Sequence, residues 1–217
     1  NDNIIKATFI DEIGADYSPT LWKLGDRVRD QYIMQVPVDL PAGKYNWIVQ
    51  LVDSDESVLG YFQYDIPFVI HVPDRSFERP SDMNILNIEL EDLAILSGYS
   101  IQNNLDDINQ SIQVELVWKS QTNTRDSYRV FVHVVGDAGT IISQSDNDPA
   151  GWERPTTSWL SGEYITDVHN LYIPIEDKAD MYSIYVGLYN PMNFQRLLSD
   201  QFDDGYIKLT EILYSGN

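Results

Sequence analysis

The polar and aromatic residues best suited to ligand chemistry lie between positions 146 and 154. They are Asp146, Asp148, Trp152 and Arg154. An exposed indole ring stacks on the apolar C–H face of a sugar, while nearby carboxylates and a guanidinium bind its hydroxyls. The cluster therefore predicts a carbohydrate-binding site. The alternative is an acidic turn that only water contacts, as turns rich in Asp and Asn commonly are.

Metal chemistry has weaker support in the sequence. Asp146-Asn147-Asp148 and Asp203-Asp204 offer oxygen ligands for calcium, but neither fits the spacing of the twelve-residue calcium loop. The chain has no cysteine, and its three histidines, His71, His133 and His169, lie far apart on predicted strands. None has the H-E-x-x-H spacing of a zinc site. We predict no metal and no other cofactor.

Catalysis is also not indicated. A glycosidase needs two carboxylates at a set separation. Among 34 acidic residues some pair meets that condition by chance, so such a pair carries no signal. The sequence contains no G-x-S-x-G elbow, phosphate loop or dinucleotide fingerprint. The prediction is a protein that is not an enzyme.

The net charge of −20, from 34 acidic and 14 basic residues, restricts the partners. Neutralising phosphates requires clustered Lys and Arg, so nucleic acid and anionic membrane surfaces are unsuitable. No apolar run approaches the ~20 residues of a membrane span, so this segment is not expected to insert directly into a membrane. A polysaccharide or another envelope protein remains as a partner, and the oligomeric state stays open.

The elements that must position these residues are β-strands. Apolar and polar residues alternate along 45–52, 112–119 and 182–188, which is the pattern of strands with one face on a core. No segment of ten or more residues has a convincing helical period. Further strands are predicted in the following ranges: 4–11, 28–36, 61–72, 84–95, 127–135, 140–145, 164–173 and 205–213. The predicted fold is all-β, with antiparallel sheets stacked in pairs.

A long internal repeat organises these strands. Residues 19–53 align with 156–190 without a gap at an offset of 137, and nine of the 35 positions are identical. Such a repeat indicates two copies of one structural unit. The repeated residues to which we assign structural roles are Trp22 and Trp159, Gly25 and Gly162, Asp30 and Asp167, and Tyr45 and Tyr182.

Each repeated residue has a structural explanation. The Trp is predicted to cap the end of a sandwich, with its N–H on a backbone carbonyl. The Gly takes a positive φ and turns the chain, and the Asp accepts hydrogen bonds from loop amides. The Tyr resembles the tyrosine corner of immunoglobulin-like sandwiches. Function is therefore expected where the copies differ, around 146–154, where Trp152 aligns with Ala15.

The two copies are of unequal length. The proline-containing stretch HVPDRSFERPSD reads as a linker, giving a domain at 1–75 and a second at 76–217. If the alignment is extended back so that Ile4 matches Ile141, the stretch 84–140 precedes the shared block in the second domain, and only Asn1–Asn3 precede it in the first. We predict two immunoglobulin-like or jelly-roll-like antiparallel β-sandwich units, the first lacking its first half. Because the chain starts at Asn1, a processed or excised piece of a longer protein is expected.

The second unit resembles a known class of module. The matching features are Phe131-Val132-His133, Asp146 with Pro149 and Gly151, Trp159 with Gly162, Asp167, Pro174, and Gly187-Leu188-Tyr189. Together they resemble the extracytoplasmic β-sandwich module of bacterial membrane glycosyltransferases of the protein-mannosyltransferase-like class. The resemblance implies an extracytoplasmic location, facing the cell envelope or periplasm, and no catalytic residues.

Three functions follow as expectations. The first is a non-catalytic accessory or interaction module of a larger bacterial envelope protein, linked to glycan assembly. The second is a carbohydrate-binding module that contacts envelope polysaccharide. The third is a purely structural spacer.

Overall fold

The computed structural model describes residues 7–14, 17–105, 110–174 and 179–213. The chain divides into two compact units, Asn1–Pro73 (unit 1) and Asp74–Asn217 (unit 2). The prediction of an all-β chain with antiparallel sheets is confirmed. In the described ranges the only helical segments are two three-residue 3₁₀ turns, Pro19–Leu21 and Thr156–Ser158.

The described residues of unit 1 form four short strands in two two-stranded sheets. They are β1 (Gly43–Tyr45), β2 (Ile48–Val52), β3 (Val58–Gln63) and β4 (Phe68–Ile70). β1 pairs with β4, and β2 pairs with β3. Apolar side chains remain exposed on both sheets, including Val49 and Leu51 on β2, Phe62 on β3 and Val69 on β4.

Two strand predictions for unit 1 are wrong. Residues 28–36 and the described part of 4–11, residues 7–11, have no strand structure. In unit 2 the residues aligned with 27–35 do form a strand, and they do so by pairing with another strand across nine residue pairs. The described residues of unit 1 supply no such partner, and a ladder needs two strands.

Eight strands lie in the part of unit 2 that the structure describes. They are β5 (Asn84–Leu90), β6 (Ala94–Leu105), β7 (Gln110–Ser120), β8 (Arg129–Val135), β9 (Ile141–Asn147), β10 (Tyr164–Tyr172), β11 (Met181–Tyr189) and β12 (Ile207–Leu213). They form two four-stranded sheets, in the orders β10-β7-β6-β5 and β12-β11-β8-β9. The order β12-β11-β8 is the G-F-C order of immunoglobulin-like sandwiches, in which Tyr182 stands at the start of strand F. The predicted strand 84–95 is in fact a strand, a turn and the start of another.

The core lies between the two sheets of unit 2. β7, β8 and β11 each send alternate side chains inward, among them Trp118, Val132 and Ile184, all fully buried. The other faces of β8 and β11 point away from this core. That alternation places Arg129, Phe131 and His133 together on one outer face.

The repeat extends to individual hydrogen bonds. The Trp159 indole N–H donates to the carbonyl of Arg154 over 2.9 Å, and Trp22 donates to the aligned carbonyl of Tyr17 over 2.8 Å. The aspartates also act alike, because Asp167 accepts from the amide of Ala150 and Asp30 from that of Gly14.

The repeated glycine and tyrosine have the geometry that turning the chain requires. Gly25 and Gly162 have φ of 97° and 85°, a backbone conformation that residues with a Cβ atom rarely adopt. Tyr45 donates its hydroxyl to the carbonyl of Pro41 over 2.8 Å. Tyr182 is fully buried.

Candidate functional site

The loop after β9 carries Trp152 to the surface. The backbone amides of Trp152 and Arg154 donate to the carbonyls of Asp148 and Pro149, which closes a tight turn. The Ala150 amide is held by the buried Asp167 carboxylate at 2.8 Å. Trp152 itself has φ of 78° and an exposure of 55%. A bulky residue in the left-handed region is strained, and such strain concentrates at binding sites.

The Trp152 ring lies against a guanidinium. The Arg129 guanidinium carbon is 4.9 Å from the ring centroid, within the range of a cation–π contact. Arg129 Nε is also 3.6 Å from a carboxylate oxygen of Asp148. The guanidinium therefore joins two of the residues predicted from sequence, Trp152 and Asp148.

A second exposed aromatic residue stands beside this group. Phe194, in the loop between β11 and β12, is 77% exposed and also left-handed, with φ of 59°. Its ring stacks on Tyr189, with centroids 6.3 Å apart and planes 12° apart. Tyr189 and Arg129 are direct cross-strand partners in the β11–β8 ladder, and such partners lie about 5 Å apart. We call the four residues Trp152, Arg129, Tyr189 and Phe194 the aromatic platform.

A glycine holds the loop of Phe194 against the sheet. A side chain at Gly187 would meet the Gly205 carbonyl oxygen and the Phe131 ring, each at 2.5 Å. Because Gly187 has none, the Gly205 backbone and the Phe131 ring both pack closely against it. The Arg196 guanidinium then lies 3.9 Å from the centroid of the Tyr206 ring. The Arg196–Tyr206 contact lies within the loop, and the same guanidinium is 5.6 Å from the centroid of Phe131 on β8. The loop thus contacts the face of β8 and β11 at Gly187, Phe131 and Tyr189.

An acidic cleft of about 500 Å³ borders the platform at Phe194. Arg196, Glu91, Asp203 and Asp204 also line it. Carboxylates accept hydrogen bonds and carry up to about four acceptor positions each. The cleft therefore offers acceptors for hydroxyl groups next to an exposed ring.

Asp146 lies further along the same face, opposite Phe131 in the β8–β9 ladder. Its carboxylate is 3.9 Å from Nε2 of His133. Burial lowers the pKa of His133, Arg196 lowers it further, and Asp146 opposes both. His133 is therefore neutral at pH 7 and packs as an aromatic ring against Phe131, at 4.8 Å between centroids.

Arg154 is engaged elsewhere. Its guanidinium donates to Glu163 over 2.6 Å, and Arg75 donates to the other oxygen of the same carboxylate over 2.6 Å. Glu163 is fully buried, and the amide of Leu160 adds a third donor. Of the four predicted ligand-binding residues, the structure thus groups Trp152 and Asp148 around Arg129, sets Asp146 beside His133, and places Arg154 in this buried ion cluster.

A buried array links Asp167, His169 and Ser145. Nε2 of His169 is 3.0 Å from the Asp167 carboxylate, and Nδ1 is 2.9 Å from the Ser145 hydroxyl. Because the carboxylate accepts, Nε2 donates to it. This is the residue order of a serine hydrolase triad. His169, however, is 1% exposed, so its ring cannot pass a proton to a bound leaving group, and the array ties β9 to β10.

The described ranges contain no metal-binding centre. No group of three or more His, Asp or Glu side chains is placed to hold an ion there. Nor does any described helix have the length and apolar character that crossing a bilayer demands.

Comparisons with known proteins add little. No family model matches the chain, and no curated protein matches it. Among solved structures, the chain is similar to a β-glucuronidase from glycoside hydrolase family 2, with a TM-score of 0.37 and 12% identity. The match covers 46% of this chain and 10% of that one, so the chain spans about a tenth of the enzyme's length. A likeness this distant supports no conclusion on activity.

The sequence predicts Trp152 as a site residue but not the other three residues of the platform, Arg129, Tyr189 and Phe194. Arg129 alternates with Phe131 and His133 on one strand face, a signal that could have placed it beside the 146–154 loop. Tyr189 is marked in the sequence only by the Gly187-Leu188-Tyr189 match of the resemblance. No sequence pattern predicts the position of Phe194, because the residue lies in a loop. That loop is placed by the close approach of the Gly205 backbone to Gly187.

Proposed function

We propose that unit 2 is a non-catalytic carbohydrate-binding module that holds a glycan on the aromatic platform. The observation that carries the proposal is the pair of exposed, left-handed aromatic residues, Trp152 and Phe194, each stacked on one member of the Arg129–Tyr189 cross-strand pair. Backbone strain of this kind clusters at ligand-binding sites, and contiguous exposed apolar surface marks interaction sites.

The platform fits the chemistry of a sugar. Two rings offer flat apolar surfaces for C–H groups, which stack without charge. Asp148 contacts only the Nε of the Arg129 guanidinium, so the other N–H groups can donate hydrogen bonds to sugar hydroxyls. The carboxylates of the acidic cleft can accept hydrogen bonds from those hydroxyls. With a net charge of −20 the chain repels polyanions, so the ligand is a neutral rather than an acidic polysaccharide.

The wider role is accessory. The resemblance to modules of membrane glycosyltransferases supports a place outside the membrane, where the module would hold a glycan near an enzyme that acts on it. The bacterial envelope setting is part of this proposal and rests on that resemblance alone.

The proposal is tested by affinity electrophoresis in gels that contain dextran, mannan or xylan, with polygalacturonate as the acidic polymer. A neutral polymer is expected to retard the wild-type chain. Trp152→Ala and Phe194→Ala are each expected to weaken retardation about tenfold, equivalent to ~1.4 kcal/mol.

The matched control is Tyr172→Ala. Tyr172 is exposed on β10, in the other sheet of unit 2, so its loss should leave retardation unchanged. Equal loss in all three variants, or no retardation by any polymer, contradicts the proposal.

A further inference from the structure

We propose that the buried Asp167 is a positioning residue of the glycan site. Its carboxylate holds the turn that presents Trp152, so that the ring is already in place before a sugar binds. The inference rests on the proposed binding of a glycan by the aromatic platform, and it adds a fully buried residue to that site. Asp167 lies on β10, in the sheet opposite to the one that carries Arg129 and Tyr189.

The turn that presents Trp152 is strained over consecutive residues. Ala150, Gly151 and Trp152 have φ of 54°, 61° and 78°. Two of them carry a Cβ atom, and such residues persist in this conformation only where the surrounding structure holds them. Backbone hydrogen bonds within the loop close it, but the Ala150 amide donates out of the loop, to the Asp167 carboxylate at 2.8 Å. That bond ties the first left-handed residue to the core of unit 2.

The Asp167 carboxylate is itself held in one orientation. A buried carboxylate is stable only when it is hydrogen-bonded. One oxygen accepts from the Ala150 amide, and the other accepts from Nε2 of His169 at 3.0 Å and from the Trp118 indole N–H at 3.4 Å. The second ring nitrogen of His169 is 2.9 Å from the Ser145 hydroxyl of β9. The two rings thus fix the carboxylate and leave its first oxygen directed at the loop.

Holding the turn should raise the affinity for a glycan. A ring that is already ordered does not lose conformational freedom when the ligand binds. If the turn opened, Trp152 would move away from Arg129, whose guanidinium carbon lies 4.9 Å from the ring centroid. Only a fraction of the molecules would then carry a complete platform, and the apparent affinity would fall in proportion. Loss of the Asp167 bond should therefore weaken binding, although Asp167 itself does not contact the sugar.

Unit 1 contains the same bond at a turn that has alanine in place of Trp152. Asp30, which aligns with Asp167, accepts from the Gly14 amide at 2.7 Å. Gly14 has φ of 71° and no Cβ atom, so this conformation does not strain it. The next residue is Ala15, at the position aligned with Trp152. Unit 2 thus uses a turn common to both copies to present an aromatic ring, and Asp30 supplies a matched control.

The test compares three variants by affinity electrophoresis in the neutral polymer that retards the wild-type chain. Asp167→Ala removes the acceptor and should weaken retardation about tenfold, as loss of a hydrogen bond to a charged group does. Asp167→Asn keeps an oxygen for the Ala150 amide, and the His169 ring can change tautomer to face the new amide group, so retardation should stay within about twofold of wild type. Asp30→Ala should leave retardation unchanged.

Circular dichroism establishes that each variant is folded at the temperature of the gel. The positioning role is overturned if folded Asp167→Ala is retarded as strongly as the wild-type chain. It is also overturned if Asp167→Asn binds as weakly as Asp167→Ala, or if Asp30→Ala weakens retardation equally.

Hydrogen exchange of the wild-type chain, followed by NMR, tests the same link without a substitution. It is measured where the amide of the core residue Leu116 does not exchange, so that only local opening is observed. If a glycan binds only the closed turn, an oligosaccharide at about ten times its Kd should slow exchange of the Ala150 amide about elevenfold, by the factor 1 + [L]/Kd. The Gly14 amide of unit 1 should exchange at an unchanged rate.

The outcomes separate the two proposals. An unchanged rate at Ala150 with the oligosaccharide bound overturns the positioning role and leaves the glycan site standing. If no neutral polymer or oligosaccharide binds the wild-type chain, the proposed function is overturned, and the positioning role with it.

Discussion

The Arg154 guanidinium donates over 2.6 Å to Glu163, and the aligned pair in unit 1, Tyr17 and Asp26, keeps the same bond with a phenol as donor. The amide three residues before each carboxylate also donates to it, from Leu160 and from Lys23. These donors lower the pKa of Asp26. The position aligned with Arg154 thus holds a carboxylate in both copies, which explains why Arg154 does not join the platform.

Removing the buried charge should destabilise unit 2. Glu163→Gln removes the carboxylate charge that both Arg75 and Arg154 bind in a nearly buried setting, and breaking such a pair costs about 3–5 kcal/mol. Urea denaturation measures the loss. Asp26→Asn is the matched control in unit 1, where the carboxylate is exposed and its donor is neutral, and a much smaller effect is expected. Equal losses of unfolding free energy in Glu163→Gln and Asp26→Asn would show that the two arginines add nothing to the stability of unit 2.

Trp159 should stabilise unit 2 both through the volume of its buried side chain and through the hydrogen bond that its indole N–H donates. Trp159→Ala removes a 1% exposed side chain and should cost about 3–5 kcal/mol. Trp159→Phe keeps most of the volume but leaves the Arg154 carbonyl without this donor, so a loss of about 1–3 kcal/mol is expected. Thermal unfolding of both variants gives the comparison. If Phe and Ala are equally destabilising, the hydrogen bond rather than packing dominates.

His133 should make stability depend on pH. Burial lowers its pKa in the folded state below the ordinary 6.5, so the unfolded chain takes up a proton first as the pH falls. The free energy of unfolding is then at its full value above pH 6.5 and declines as the pH falls below it.

The His133 effect is isolated by a variant. Denaturation of the wild type and His133→Gln between pH 8 and 5 should give a difference in unfolding free energy that shrinks toward low pH. Carboxylates titrate in both proteins and cancel in the difference. A difference that stays constant, or grows as the pH falls, contradicts a lowered pKa.

Gly187 should control the loop that carries Phe194. Gly187→Ala places a methyl group against the Gly205 carbonyl and the Phe131 ring, and overpacking of this kind costs about 1–3 kcal/mol. Hydrogen exchange in residues 190–206 should accelerate and glycan retardation should weaken. Gly139→Ala is the control for stability alone, because its positive φ strains any side chain but no atom lies within 4 Å.

The sequence predicted the strands of unit 2 well because their alternation is set by one buried face, as in β7 and β11. It failed at 28–36, since alternation reports what a segment needs and not whether a partner strand is present. The repeat located the capping and turning residues because they bond within a few positions of themselves, as Trp159 and Arg154 do. Arg129 and Phe194 escaped for the opposite reason. Arg129 lies beside Tyr189 only through sheet register, and Trp152 and Phe194 reach this pair from two loops in which both have positive φ.

The most direct test of the platform follows its indole N–H in solution. The chain has five tryptophans, of which Trp118 and Trp159 are buried, so ¹⁵N-indole labelling gives five reporters on one molecule. Titration with a neutral oligosaccharide from whichever polymer retards the chain should shift the Trp152 resonance, with Trp118 and Trp159 unmoved. Shifts at Trp22 or Trp47 with Trp152 unmoved would place the glycan elsewhere and contradict the account.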